Sequence, residues 1–158
     1  MCNPEIGGCS PVVVDVLGNG FAMTSAANGV MFDLEGNGTP RQFSWIAANS
    51  DDSWLALDKN NNGTIDSGRE LFGNVTSQPP PPDGEEMNGF LALAQYDTAA
   101  FGGNGDGKIN QQDAIFSRLK LWQDENHNGV FRIVRNENAA GSGFKKDRPR
   151  LPDFAANG

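Results

Sequence analysis

Five short segments rich in aspartate and asparagine end on Asn-Gly or Asp-Gly: residues 15–20 (DVLGNG), 33–38 (DLEGNG), 58–63 (DKNNNG), 103–107 (GNGDG) and 124–129 (DENHNG). Calcium is a hard cation that takes six to eight oxygens. An EF-hand loop supplies them from positions 1, 3, 5, 7, 9 and 12, with glycine at 6 making the turn. The segments therefore read as several EF-hand-like calcium loops. Taken singly, any of them also reads as a plain Asx-turn.

The third segment matches furthest. Asp58, Asn60 and Asn62 take positions 1, 3 and 5, Gly63 takes 6, the Thr64 carbonyl takes 7, Ile65 is the apolar residue at 8 and Asp66 falls at 9. Arg69 stands at 12 and Glu70 at 13, so the closing acid arrives one residue late. A turn at Ser67 and Gly68 would absorb the extra residue; otherwise water replaces the bidentate ligand and affinity falls. In the fourth segment Asn104, Asp106, Gly107, the Lys108 carbonyl, Ile109, Asn110 and Asp113 fit positions 3, 5, 6, 7, 8, 9 and 12, but position 1 is Gly102. Asp97 is the candidate to fold back over residues 98–101 and supply that carboxylate.

The other segments are half-loops. Asp33, Glu35 and Asn37 precede Gly38 with Thr39 at position 7, and a closing acid must come from elsewhere, for example Asp51 or Asp52. Asp124, Asn126 and Asn128 precede Gly129, but Arg132 and Arg135 at positions 9 and 12 oppose a cation by like charge. The first segment has Leu17 at position 3 and reads as a simple turn.

These loops need a frame. Residues 12–16 and 30–32 read as short strands, and the apolar run 54–57 leads directly into the third loop. Residues 86–96 (EMNGFLALAQY) put Phe90, Leu91 and Ala94 at helical spacing, with Met87 as a further member of that face. A second helix is expected to start near Gln112 and Asp113 and to bury Ile115, Phe116 and Leu119. Trp45, Trp54 and Trp122 read as core anchors. The expected fold is α+β: a small loop-rich domain with short strands, two or three short helices and the loops. Residues 1–10 form a leader with two Cys, 11–130 the module, 78–85 a proline-rich spacer within it, and 131–158 a basic tail. That tail carries six of the 12 basic residues, has little periodicity and is expected to be disordered.

Composition agrees with a loop-rich domain: 158 residues, 37% apolar, with 20 glycines and 9 prolines. A net charge of −8 disfavours nucleic acid or an anionic membrane as partner and favours cations. No run approaches a spanning helix, and the N-terminus lacks the basic start and apolar run of a signal peptide, so an export signal would lie outside this chain or be of another type. Cys2 and Cys9 fit a small disulfide loop or two free thiols. With one remote histidine, His127, they do not suggest zinc.

Residues 11–20 (PVVVDVLGNG), 29–33 (GVMFD), 54–58 (WLALD) and 68–73 (GRELFG) resemble the calcium-dependent self-processing modules of bacterial RTX proteins. The chain is also similar to a related group of uncharacterised EF-hand-like bacterial domains, notably at 113–117 (DAIFS) and 121–124 (LWQD). The resemblance covers about residues 11–130, and 68–73 is its most specific part. It implies a domain that calcium folds and that then cleaves an Asp-Pro bond immediately before it, the Asp carboxylate attacking its own peptide carbonyl. Here Ser10 precedes Pro11 and no Asp-Pro dipeptide occurs. Serine does not supply that carboxylate nucleophile. The family pattern also carries an acid near position 12 of the fifth loop, which this chain lacks.

The leading expectation is a calcium-binding structural or interaction module of a secreted bacterial protein, folded or stabilised by Ca2+, with other domains of a larger protein as partners. The alternative is a calcium-dependent autoprocessing or hydrolytic enzyme. A third reading is an acidic, partly folded chain whose loops are mere turns. No catalytic residue is singled out: Ser-His-Asp chemistry would rest on His127 alone, and most carboxylates already have places in the loops.

Overall fold

The computed structural model describes residues 11–131 and the backbone of residues 154 and 155. Cys2, Cys9, Arg132, Arg135 and most of the basic tail lie outside the described residues.

Strand β4 (Ser53–Ala56) is buried along its whole length. It is the middle strand of a three-stranded antiparallel sheet, with β1 (Val13–Val14) on one side and β6 (Lys120–Trp122) on the other. Val13 lies opposite Trp54 and Val14 opposite Ser53, while Trp54 faces Trp122 and Leu55 faces Leu121. Side chains alternate across a strand, so a continuous apolar run demands cover on both faces. Leu55 and Leu57 join Val12, Val14, Phe72, Leu93, Ile109 and Ile115 in one core cluster. Trp54 and Ala56 join Val30, Phe32, Trp45, Ile46, Ile65 and Trp122 in the other.

The tryptophan face is covered by an antiparallel pair, β2 (Val30–Phe32) with β3 (Arg41–Phe43), Val30 opposite Phe43. Trp45 is its centre: its ring lies 4.8 Å from that of Trp54, 5.1 Å from Phe32 and 5.6 Å from Trp122. The leucine face is covered by α1 (Gly89–Ala94), capped by the Asn88 side chain, which accepts from the Leu91 amide at 2.9 Å. Single 3-10 turns at Gln95–Asp97 and Ala99–Phe101 follow. Strand β5 (Lys108–Ile109) pairs with β7 (Phe154–Ala155), so the tail expected to be disordered contributes a backbone pair to a second small sheet.

Two expectations about helices are corrected. The helix is shorter than residues 86–96 and turned: Gly89, Ala92 and Leu93 are buried, while Met87 and Phe90 are exposed and Leu91 and Ala94 half-buried. Gly89 lies against the Phe72 carbonyl and the Val12 side chain, and that close approach sets the rotation of the helix. The second helix is a 3-10 turn, Phe116–Arg118. Ile115 and Leu119 are buried as expected, but Leu119 is extended, with ψ 144°, because the chain must enter β6 at the next residue.

The spacer at 78–85 has no regular structure, and Gln78 ties both its ends. The Gln78 carboxamide donates to the Gly73 and Thr76 carbonyls and accepts from the Asn88 amide.

Candidate metal-binding loops

All five Asx segments share one hydrogen-bond pattern. A leading carboxylate accepts the amides at positions 5 and 6: Asp15 from Asn19 and Gly20, Asp33 from Asn37 and Gly38, Asp58 from Asn62 and Gly63, Asp124 from Asn128 and Gly129. The glycines at position 6, including Gly107, have φ between +68° and +102°, a region that side-chain-bearing residues rarely adopt.

In the fourth segment the leading carboxylate is that of Asp97, which reaches over residues 98–101 to accept from Gly105, Asp106 and Gly107 at 2.8 to 3.2 Å. Gly103 makes this possible, since a Cβ there would overlap the Asp97 backbone. Gly102, position 1 by sequence count, is displaced from that role.

The 58–70 and 97–113 loops also share their remaining contacts. The position-3 oxygen, Asn60 Oδ1 or Asn104 Oδ1, accepts the position-5 amide. The position-5 oxygen, Asn62 Oδ1 or Asp106 Oδ1, accepts the amide of Thr64 or Lys108 at position 7. Ile65 and Ile109 at position 8 are buried, one in each core. A buried acid then spans each loop. Glu70 accepts from Lys59 at 3.2 Å and Asp66 at 3.0 Å, and Asp113 accepts from Asn104 at 3.2 Å and Asn110 at 2.7 Å. Glu70 does from position 13 what Asp113 does from 12, and each ends on the same turn, the Glu70 amide donating to the Ser67 carbonyl and the Asp113 amide to the Asn110 carbonyl, both at 3.0 Å.

Burial pushes the Glu70 carboxyl above its ordinary value, the Asp66 charge adding to this and backbone amides opposing it. Lys59, half-buried beside it, is pushed down by desolvation. Asp106 is held below the ordinary value, chiefly by the Asn104 side chain. Asn62 Nδ2 donates to Asp66, and the Asn110 carboxamide oxygen accepts the Gln112 amide.

The two half-loops differ. Glu35 is ion-paired with Arg41 at 3.0 Å and accepts from Asn37, so one of the expected oxygens faces a cation already. Asp33 is tied to the third loop through a backbone bridge to Ser67. In the fifth loop Asp124 is buried and also accepts from the Trp45 indole at 2.9 Å, and Asn126 is exposed. His127 is half-buried with its ring nitrogens 2.8 Å from the Ile46 and Asn28 carbonyls, which fastens this loop to the β2–β3 face.

Asp51 and Asp52 do not close the Asp33 loop. They turn to the first segment: Asp51 accepts from the Leu17 amide and Asn19 Nδ2, and Asp52 from the Ala22 amide. The Leu17 amide holds the Asp51 carboxyl below its ordinary value. Asp15, Asp51 and Asp52 each bring a carboxylate oxygen within 4.8 Å of the others. Sequence spacing does not reveal this group; the β1–β4 register does, since Val14 opposite Ser53 continues to Asp15 beside Asp52.

These features define a small antiparallel mixed α/β domain whose polar surface is organised by aspartate-anchored loops. The chain belongs to the SPM domain family, whose family model matches residues 12–135. It is 38% identical over 123 residues to the Iron-regulated protein FrpA of Neisseria meningitidis serogroup C. The match takes in 76% of this chain and 10% of that protein, so the chain spans about a tenth of its relative's length. Among the described residues no helix is long and apolar enough to cross a membrane.

Proposed function

We propose that this chain is a calcium-binding module of a larger secreted bacterial protein, in which Ca2+ taken up by EF-hand-like loops at 58–70 and 97–113 stabilises the fold. One observation carries the reading: two loops of different sequence and different closing position converge on the same arrangement, a leading Asp over the loop amides and a buried acid across the loop. The donor set fits the ion, because the candidate side chains offer oxygen alone, which suits a hard cation and neither zinc nor copper. Asp58, Asn60, Asn62, the Thr64 carbonyl, Asp66 and Glu70 would hold one ion. Asp97, Asn104, Asp106, the Lys108 carbonyl, Asn110 and Asp113 would hold another. Each set mixes its three carboxylates with asparagine and so carries less charge than an Asp-rich loop, which points to dissociation constants of about 10⁻⁴–10⁻³ M, the range of extracellular modules. Calorimetric titration of metal-stripped protein tests this: saturable heat at submillimolar to millimolar Ca2+ supports it, and no heat at several millimolar overturns it.

The resemblance to self-processing modules supports the scaffold and not the cleavage, since Ser10 stands before Pro11. Incubation with calcium is expected to release no fragment.

A further inference from the structure

The group formed by Asp15, Asp51 and Asp52 lies outside both loops, and its members have distinct jobs. Asp15 uses its carboxylate on the amides of Gly18, Asn19 and Gly20. Asp51 uses its two oxygens on Leu17 and Asn19. Asp52 has no solvent-exposed surface; its Oδ2 accepts from Ala22 at 2.7 Å, and its Oδ1 is buried with no hydrogen-bond partner. Among the described residues none of the three is ion-paired with Lys or Arg. A buried carboxylate oxygen without a donor is costly, and two more carboxylates within 4.8 Å add like-charge repulsion. Both costs vanish together when a cation sits among the three.

We propose that Asp15, Asp51 and Asp52 form a further calcium site, built by the pairing of β1 with β4, with Asp52 Oδ1 as its inner ligand. All its side-chain donors are carboxylate oxygens, the ligands a hard divalent cation takes. The site differs in kind from the loops, because its acids come from two segments 36 and 37 residues apart and meet only in the folded chain. An ion here fastens residues 15–22 to the sheet. That segment carries exposed Leu17 and Phe21, and Phe21 lines an apolar groove with Met23, Val12 and Phe90.

The test uses the full chain with Ca2+ as probe, read by native mass spectrometry for stoichiometry and by amide NMR for location. The expected result is saturable calcium shifts at Gly20 and Ala22 that persist in Asp58→Ala and are lost in Asp52→Asn, with one ion fewer per chain. Asp51→Asn, at a partly exposed position, provides a second variant if Asp52→Asn does not fold, and should weaken the same event at least tenfold. Absence of saturable shifts at Gly20 and Ala22, or their persistence in both Asp52→Asn and Asp51→Asn, overturns the proposal. The loop reading is scored separately by shifts at Gly63 and Gly107, so either can fail alone.

Discussion

The indole nitrogen of Trp45 donates to Asp124 Oδ2 at 2.9 Å, joining residues 79 apart in sequence and placing the centre of the aromatic core against the fifth loop. Asp124 also holds the amides of Asn128 and Gly129, so one carboxylate both shapes its loop and anchors it to the core. Trp45→Phe removes the donor and also shrinks a fully buried indole to a single ring, so it should cost at least about 1.5–3 kcal/mol, the range for a hydrogen bond to a charged group. Urea unfolding of the metal-free protein measures it, and a loss below 0.5 kcal/mol (a threshold well under that range) would show the bond to be idle. If the fifth loop takes a cation, terbium emission excited through tryptophan should fall sharply in the same variant.

Glu70 accepts two backbone amides, one with each oxygen. Glu70→Gln leaves one of them facing an NH2 group, so the metal-free protein should lose about 1–3 kcal/mol. The tightest calcium event should weaken by about tenfold or more, about 1.4 kcal/mol. Paired thermal melts and calorimetry separate the two effects, and an unchanged calcium affinity would remove Glu70 from the ligand set.

Asp97 and Asp58 occupy the same place in their loops, although Asp97 reaches its amides over an insertion. Asp97→Ala and Asp58→Ala should each abolish one calcium event and spare the other. Residue-resolved amide shifts at Gly107 and Gly63 decide this. Loss of both events in either single variant would mean that the loops fold as one unit.

A Cβ at Gly68 would overlap the Leu34 carbonyl, where the 58–70 loop crosses the Asp33 loop. The Gly68 amide also donates to the Asp33 carbonyl at 2.8 Å. Gly68→Ala should therefore destabilise by about 1–3 kcal/mol or more, as overpacking does, and weaken calcium binding with it. A melting temperature equal to wild type would refute this close contact.

Leu55 is fully buried in the middle strand. Leu55→Ala should cost about 2–5 kcal/mol by denaturant unfolding, with the slope unchanged. A smaller loss would mean that the leucine face collapses to fill the space.

Much of the frame was legible from local pattern. β2 coincides with residues 30–32, and the apolar run at 54–57 becomes the middle strand with both faces covered. The helix was legible as an element and misjudged as a face, because counting apolar spacing gives no weight to a glycine pressed on a neighbouring carbonyl. The structure shows Asp113 accepting two amides across its loop, but the helix expected after it was not formed, since residues 113–119 have to return to an extended strand.

The sequence by itself determined the local half of each loop. Asp58 reaches the amides of Asn62 and Gly63 within six residues, and such short-range Asx bonding depends on spacing and on a glycine able to take positive φ. Only the tertiary structure decided which distant groups meet them. Asp51 and Asp52 join Asp15 rather than Asp33 because β4 pairs with β1 in one particular register, and Trp45 finds Asp124 because two faces of one sheet must be covered. Register and packing partners arise from the whole buried surface, and no spacing within a single segment contains them.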